Sequence, residues 1–338
     1  MNFRHIILPA LLLASALHIA AQNESNTPEN NSPENPGWLW EISGNGLKQT
    51  SYLFGTCHGE GHNFTREEVF GICGLQNAFD RSEAVIFEQD FDASLQPSEE
   101  DRKFQRWMME LLRNPGPEWM MPEGSDYRQL YDDSTHFHMV DSILTTRFQD
   151  GGYWKKTPKY WKTKIGLIFF IATRQRQALD YVLYQEAVKG NKTRGGLEET
   201  KDISAGLIST FTDTPGFDSL SVKMQADSLY KSIQDLVNGK TKRIFRGFYK
   251  AYIQNDTCAF AKFLASEPEL KEIEKDTFLV KGRNENWIPV IRENITQRPS
   301  LIAVGCRHLM GPQSVIALLR KEGYTVEPVK RKTPPTDK

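Results

Sequence analysis

The chain has 338 residues, of which 39% are hydrophobic and 25% are charged, and its 42 basic and 43 acidic residues leave a formal net charge of −1. This length and composition fit a globular protein with one large domain or two small ones. Because the charges balance, the composition gives no reason to expect nucleic acid or an anionic membrane surface as a partner.

The first 36 residues have the pattern of a targeting segment followed by a linker. An apolar stretch from Ile6 to Leu17 precedes Ala20-Ala21-Gln22, which suits a signal-peptidase site. The stretch is shorter than the roughly 20 residues of a membrane span. We predict a signal peptide at 1–21, a disordered linker rich in Asn, Glu, Ser and Pro at 22–36, one domain at 37–330 and a disordered tail at 331–338. The mature chain is therefore expected to be exported, periplasmic or secreted, without a transmembrane segment.

The domain begins with a predicted β-hairpin, formed by residues 38–42 and 50–55. Thr65 to Glu68 matches a capping box, and apolar residues at helical spacing follow from 69 to 79 as one helix. Residues 84–87 form a short apolar run, typical of a buried parallel strand.

The remainder of the chain is predicted to be mainly helical. Residues 91–160 are rich in Met, Trp and Pro and are interpreted as a helical insertion or lid. The apolar residues 165–172 are too few to span a membrane and predict a buried helix that continues to a stop at Gly190-Asn191. Further helices are expected from 219 to 297, with breaks at Asn238-Gly239, Asn255-Asp256 and Pro268. A strand at 300–304, a helix at 314–322 and a last strand at 324–328 are expected to follow. The fold class is α/β, with a central, mostly parallel sheet flanked by helices.

Polar side chains of catalytic or ligand type follow four predicted strands. His58 closes Gly55-Thr56-Cys57-His58, His308 closes Gly305-Cys306-Arg307-His308, and Glu88 and Glu198 end the two strands between. Carboxyl ends of parallel strands lie at one edge of a sheet, so these four residues are expected to converge. Two imidazoles with carboxylates suit Zn²⁺, Mn²⁺, Co²⁺ or Fe²⁺, and a carboxylate not bound to the ion would act as a general base.

Each of these residues also has an ordinary structural interpretation. A histidine at a strand end often only donates a hydrogen bond, Glu88 would then cap the next helix, and Glu198 would pair with a nearby arginine. Arg283 precedes the last long helix and is a candidate for binding a carboxylate or oxyanion, unless it pairs with a neighbour such as Glu285.

The other histidines and the cysteines carry weaker signals. The order Glu60-Gly61-His62 does not fit the His-Glu-x-x-His motif of zinc peptidases, so His62 is expected in a loop. His136 and His138 are expected at the surface. The two cysteines of the Gly-x-x-His segments would form a disulfide or a close thiol pair if their strands are neighbours, or all four cysteines, Cys57, Cys73, Cys258 and Cys306, are simply small buried residues.

Several segments together resemble the TraB/GumN family, which includes the Tiki membrane-associated metalloproteases. The resemblance covers about residues 38–329. It is carried by Leu39 to Gly46, Ser51 to His58, Phe87-Glu88, Gly196-Leu197-Glu198, Arg283-Asn284, Ala303 to Leu309 and Leu318 to Pro328.

This resemblance implies a superfamily shared with erythromycin esterases and haem-binding ChaN-like proteins, with a mostly parallel sheet between helices. It implies that His58, His308 and Glu88 hold a divalent ion, with Mn²⁺, Co²⁺ or Zn²⁺ as candidates, and that Glu198 and Arg283 assist at the site. The implied function is a metal-dependent hydrolase of peptides or small molecules. The alternative is a non-catalytic metal- or haem-binding protein of the same fold. The chain departs from the family pattern at Cys57, Cys306 and Arg307.

Overall fold

The computed structural model describes residues 36–57, 62–94, 99–172, 178–198, 220–267 and 280–329. The predicted signal peptide at 1–21, nearly all of the predicted linker and the predicted tail at 331–338 lie outside the described residues. His58, one of the two predicted histidine ligands, also lies outside them.

A six-stranded mixed sheet forms the centre of the described fold. Its strands are β1 (Leu39–Ser43), β2 (Ser51–Thr56), β3 (Ala84–Gln89), β4 (Thr193–Glu198), β5 (Ser300–Gly305) and β6 (Thr325–Pro328). Their order across the sheet is β4-β3-β5-β2-β1-β6. The four strands from β4 to β2 are parallel, whereas β1 is antiparallel to both β2 and β6. The predicted α/β class and the opening hairpin are therefore confirmed.

Helices follow the strands along the chain. Those of the described residues are α1 (Arg66–Phe70), α2 (Leu75–Arg81), α3 (Phe91–Ser94), α4 (Glu99–Arg113), α5 (Ser134–Ser142), α6 (Pro158–Ala172), α7 (Leu179–Lys189), α8 (Val222–Val237), α9 (Lys240–Ile253), α10 (Thr257–Ser266), α11 (Gly282–Gln297) and α12 (Val315–Lys321). Local signals set many of their ends. Thr65 and Glu68 form the predicted capping box of α1, and the predicted breaks at Asn238 and Asn255 separate α8, α9 and α10.

Two sequence predictions of single helices are wrong. The apolar stripe from 69 to 79 is divided between two helices, because α1 ends at Phe70 and Gly74, with a left-handed φ of 81°, precedes α2. A side chain disfavours that conformation, whereas glycine accepts it without cost. The predicted helix through 165–190 is likewise interrupted, because Ala178 is extended at the start of α7.

The sheet has a hydrophobic core on each face, as strand alternation requires. Val85 and Phe87 of β3 pack into the core that contains α2, α7, α9 and α10. Ala84 and Ile86, the alternate residues of the same strand, pack into the core that contains α11 and α12. Because alternate residues of β3 belong to different cores, a shift of one residue would move each side chain to the opposite face, so the register of the strand is fixed. Polar groups are then left to the ends of the strands.

A third core lies among helices rather than on the sheet. Residues of α4 and α5 pack there against residues of α6 and α8, with Tyr160 and Trp161 completely buried. Most of the predicted insertion at 91–160 is indeed helical, and its core extends beyond that segment into α6 and α8. Among the described residues, no helix combines the length and apolar character needed to cross a membrane.

Candidate functional site

Three of the four predicted strand-end residues meet at the carboxyl edge of the parallel strands. Glu88 lies near the end of β3, Glu198 is the last residue of β4, and His308 lies in a short 3₁₀ turn, Cys306–Leu309, directly after β5. Arg283, in the first turn of α11, reaches the same place. The predicted convergence is thus seen for these residues, and the strand order places β3 between β4 and β5.

Arg283 occupies the centre of this site. Its Nε donates to Glu198 Oε1 and Oε2 at 3.1 and 3.0 Å, and its Nη2 donates to Glu88 Oε2 at 2.5 Å and also to Glu198 Oε1. The guanidinium lies over the ring of Trp287, 4.7 Å from its centroid. The carboxylate partners of Arg283 are therefore Glu88 and Glu198, rather than the sequence neighbour Glu285.

Glu88 joins the arginine to the backbone of the neighbouring strand. Its Oε2 accepts from Arg283, while its Oε1 accepts from the Gly305 backbone N–H at 2.7 Å. The side chain is almost fully buried. A buried carboxylate with two charge-assisted or backbone hydrogen bonds is held in one orientation. Glu88 therefore does not merely cap the next helix, because both oxygens face the site.

The hydrogen bonds of His308 define which of its nitrogens faces the site. Its Nδ1–H donates to Asn284 Oδ1 at 2.5 Å, and the Asn284 amide nitrogen donates to the Gln313 carbonyl at 2.7 Å, which fixes the orientation of the amide. The lone pair of a neutral ring is then on Nε2. Nε2 lies 3.4 Å from Arg283 Nη1 and 3.6 Å from Glu88 Oε1.

With both carboxylates ionised, the cluster of Glu88, Glu198 and Arg283 has an excess of negative charge. Two ionised carboxylates and one guanidinium sum to −1, and a buried charge is costly unless it is compensated. Burial, followed by the negative charge of Glu88, raises the pKa of Glu198 above its usual value, although Arg283 and Trp287 partly oppose the shift. Burial alone would lower the pKa of Arg283, but Glu88 and Glu198 outweigh it and raise that pKa, so the arginine stays charged. A proton or a bound cation would balance the remaining charge.

The site offers part of the ligand set that a divalent ion needs. His308 Nε2 and Glu88 Oε1, 3.6 Å apart, are spaced like two neighbouring ligands of one ion, because metal–ligand bonds of about 2.1 Å put tetrahedral ligands roughly 3.4 Å apart. The Asn284 contact to Nδ1 is the kind of outer hydrogen bond that orients metal-binding histidines. Among the described residues, no group of three or more His, Cys, Asp or Glu side chains is arranged to hold an ion. The pair therefore fits one side of a metal site, and further ligands would have to come from elsewhere, with His58 the candidate by sequence.

The remaining histidines lie in other surroundings. His62 stacks on Tyr249 with ring centroids 4.4 Å apart and contacts Glu68, whose Oε1 is 3.1 Å from His62 Nε2. His136 stacks on Tyr230 with ring centroids 3.7 Å apart and is 35% exposed, and His138 is exposed.

Sequence reasoning missed two residues that shape the site. Asn284 orients His308, and Trp287 packs on both His308 and Arg283 while its Nε1–H donates to Glu198 at 3.3 Å. The helical spacing of 283, 284 and 287 on one face of α11 is a signal that could have indicated them.

Gly196 allows β4 to approach β3 closely next to this site. A Cβ added at Gly196 would lie 2.3 Å from the backbone nitrogen of Asp90 and 2.7 Å from the carbonyl carbon of Gln89. Glu198 follows two residues later, so its position depends on this approach.

Fold and site together define an α/β protein with a buried Glu–Arg–Glu–His cluster at the carboxyl edge of a mostly parallel sheet. The model of the TraB/PrgY/gumN family matches residues 38–328. The match covers most of the chain, which therefore belongs to the TraB/PrgY/gumN family, as the sequence motifs indicated. No curated protein and no solved structure matches the chain.

Proposed function

We propose that this protein is an exported, metal-dependent hydrolase that acts on peptides. The single observation that carries the proposal is the pairing of His308 Nε2 with Glu88 Oε1 at 3.6 Å, with the imidazole oriented by Asn284. Membership of the TraB/PrgY/gumN family supports it, through the resemblance of the two Gly-x-x-His segments to those of Tiki-like proteases.

His308, Glu88 and His58 would hold the divalent ion, for which Mn²⁺, Co²⁺ and Zn²⁺ are the candidates. Such an ion polarises a substrate carbonyl and lowers the pKa of a bound water. The negative charge of the described cluster favours a cation at this position.

The other side chains would bind substrate and handle protons. Glu198 would carry a proton, because burial raises its pKa above the usual value of a carboxyl and so favours the protonated form. Arg283 remains charged and would stabilise a developing oxyanion through the Nη1 that faces His308. Trp287, completely buried, would exclude water from one side of the pair.

Metal content provides the first test. The mature chain is purified, loaded with Mn²⁺, Co²⁺ or Zn²⁺, dialysed and analysed by elemental mass spectrometry. We expect about one ion per chain, and loss of roughly 10-fold or more in affinity with His308→Ala or Glu88→Gln. His136→Ala changes a partly exposed histidine outside the candidate site; it is the matched control and should bind as the wild type does. Absence of any bound ion in the wild type would refute the metal proposal.

Hydrolysis is the second test. A mixture of unstructured peptides is incubated with the metal-loaded chain, and new termini are identified by mass spectrometry. Cleavage that is lost in Glu198→Gln, while metal stays bound, would support the proton-carrying role. Metal or haem binding without cleavage would instead favour the non-catalytic alternative, and a Soret band during haem titration would identify that ligand.

Export is tested separately from catalysis. The full-length chain is expressed in a bacterial host, and the N-terminus of the product is sequenced. Cleavage near Ala21 with recovery in the periplasm or medium is expected, whereas an intact product in the cytoplasm would contradict export.

A further inference from the structure

We propose that Cys57 and Cys306 form a disulfide that ties the end of β2 to the end of β5. The sequence left this pairing open, because it depended on whether the two strands are neighbours. They are parallel neighbours, and Thr56 lies opposite Gly305 in their register. Each cysteine directly follows the end of its strand, Cys57 after β2 and Cys306 as the first residue of the 3₁₀ turn after β5. The strand ends from which they follow lie about 4.8 Å apart, within the roughly 4.4–6.8 Å range of Cα separations in disulfides.

The two thiols also lie on the same face of the sheet. Both belong to the hydrophobic core that contains Trp38 and Tyr252. A Cβ placed on Gly55 would lie 3.1 Å from the Cys306 Cα, so the backbone of Cys306 lies close to the end of β2, two residues before Cys57.

Tyr252 provides an independent marker of their proximity. Its hydroxyl donates to the Gly55 carbonyl at 2.8 Å, within the same buried region. Besides burial, which is the main cause, both Cys57 and Cys306 raise the pKa of Tyr252, so both thiols lie near this one hydroxyl. The two side chains are 1% and 2% exposed, which means that a bond between them would be shielded from reductants once the chain has folded.

The other two cysteines are placed differently. Cys73 is partly buried after α1, and Cys258 is exposed in the first turn of α10; neither belongs to the core that holds the pair. All four cysteines have the thiol form in the structure.

Oxidation would proceed by exchange with a small-molecule disulfide such as oxidised glutathione, before the thiols become buried. The thiolate of one cysteine attacks the glutathione disulfide and releases one glutathione thiolate. The second cysteine thiolate attacks the mixed disulfide and releases the other. Two S–H bonds are lost, one S–S bond forms, and the two electrons reduce the oxidant to two glutathione molecules. The bond would fix the relative position of the two Gly-x-x-His segments, and this holds whether or not the proposed hydrolase activity is correct.

The test uses the mature chain with Cys73→Ser and Cys258→Ser, so that only the proposed pair remains. The chain is refolded with oxidised and reduced glutathione, or with dithiothreitol, and its fold is checked by circular dichroism. Thiols are then alkylated in denaturant and counted by mass spectrometry. We expect no alkylated thiol after oxidative refolding and two after reductive refolding. Because the bond closes a very long loop, the oxidised chain should melt on the order of 10 °C higher than the reduced one.

The matched control carries Cys57→Ala and Cys306→Ala and retains the other two cysteines. It should show two alkylated thiols under both conditions and a melting temperature that does not depend on the reductant. Two alkylated thiols in the oxidatively refolded test chain, with native circular dichroism, would overturn the proposal. So would peptide mapping of the oxidised wild type that joins either cysteine to Cys73 or Cys258 instead.

Discussion

The adjacent glycines of β4 allow the packing beside the site to be tested by a single methyl group. Neither Gly195 nor Gly196 has a positive φ, so an alanine at either position meets no backbone strain of that kind. Their surroundings differ sharply. A Cβ at Gly196 would lie 2.3 Å from the Asp90 backbone nitrogen, whereas a Cβ at Gly195 would meet only Ile86 Cδ1, at an ordinary 3.5 Å.

The expected free energies follow from these contacts. The Gly196→Ala methyl group meets backbone rather than a flexible side chain, so β4 must move away from β3. We expect a loss of about 3 kcal/mol in the free energy of unfolding, at the upper end of the usual cost of overpacking. Gly195→Ala should instead raise the free energy of unfolding by roughly 0.5 kcal/mol, because alanine restricts the unfolded chain. The difference corresponds to about 10 °C in melting temperature for a chain of this size.

Urea unfolding followed by circular dichroism measures both variants against the wild type. Displacement of β4 should also move Glu198 away from Trp287, and the tryptophan fluorescence of Gly196→Ala should change while that of Gly195→Ala does not. Equal stability of the two alanine variants would refute the close approach of β3 and β4 on which this reasoning depends.

Three further outcomes are expected. Asn284→Leu should shift the ¹⁵N resonances of His308 towards a mixture of tautomers, because Nδ1–H loses its acceptor; unchanged resonances would contradict the orienting role. The stability of the wild type relative to Glu198→Gln should fall as pH rises from 4.5, the ordinary pKa of a glutamate, through the folded-state pKa, since that pKa is raised; pH-independent differences in urea unfolding would argue against the shift. Tyr252→Phe should lower the free energy of unfolding by about 1–2 kcal/mol, because the buried Gly55 carbonyl loses a donor, and a neutral effect in the same assay would count against that bond.

Signals within a few residues predicted much of the fold. The alternation of residues 38–42, the capping box at Thr65 and the turn at Asn238 are each local, and each appears in the structure. The stripe from 69 to 79 misled because its spacing continues past the end of α1 at Phe70, and periodicity does not report the left-handed conformation of Gly74 that precedes α2. A regular apolar spacing constrains which side is buried, but not whether the backbone is continuous.

The candidate site was predicted in part for a related reason. Polar residues after apolar strands identified Glu88, Glu198 and His308 as groups that would meet at one sheet edge. Asn284 was missed, because an amide on a helix carries no chemical signal until the imidazole that it orients is known. His58 stays a prediction, since it lies outside the described residues.

The sequence by itself therefore determined the class of fold, the strand ends that carry the polar groups, and the family. Only the tertiary structure decided how these groups combine. Residue 300 begins a strand that inserts between β3 and β2, and that order brings Gly305 to Glu88 and Cys306 to the end of β2. It also places Arg283 between two carboxylates that precede it by 195 and 85 residues. Such contacts depend on strand order and helix packing over long chain separations, which local propensity and spacing do not encode.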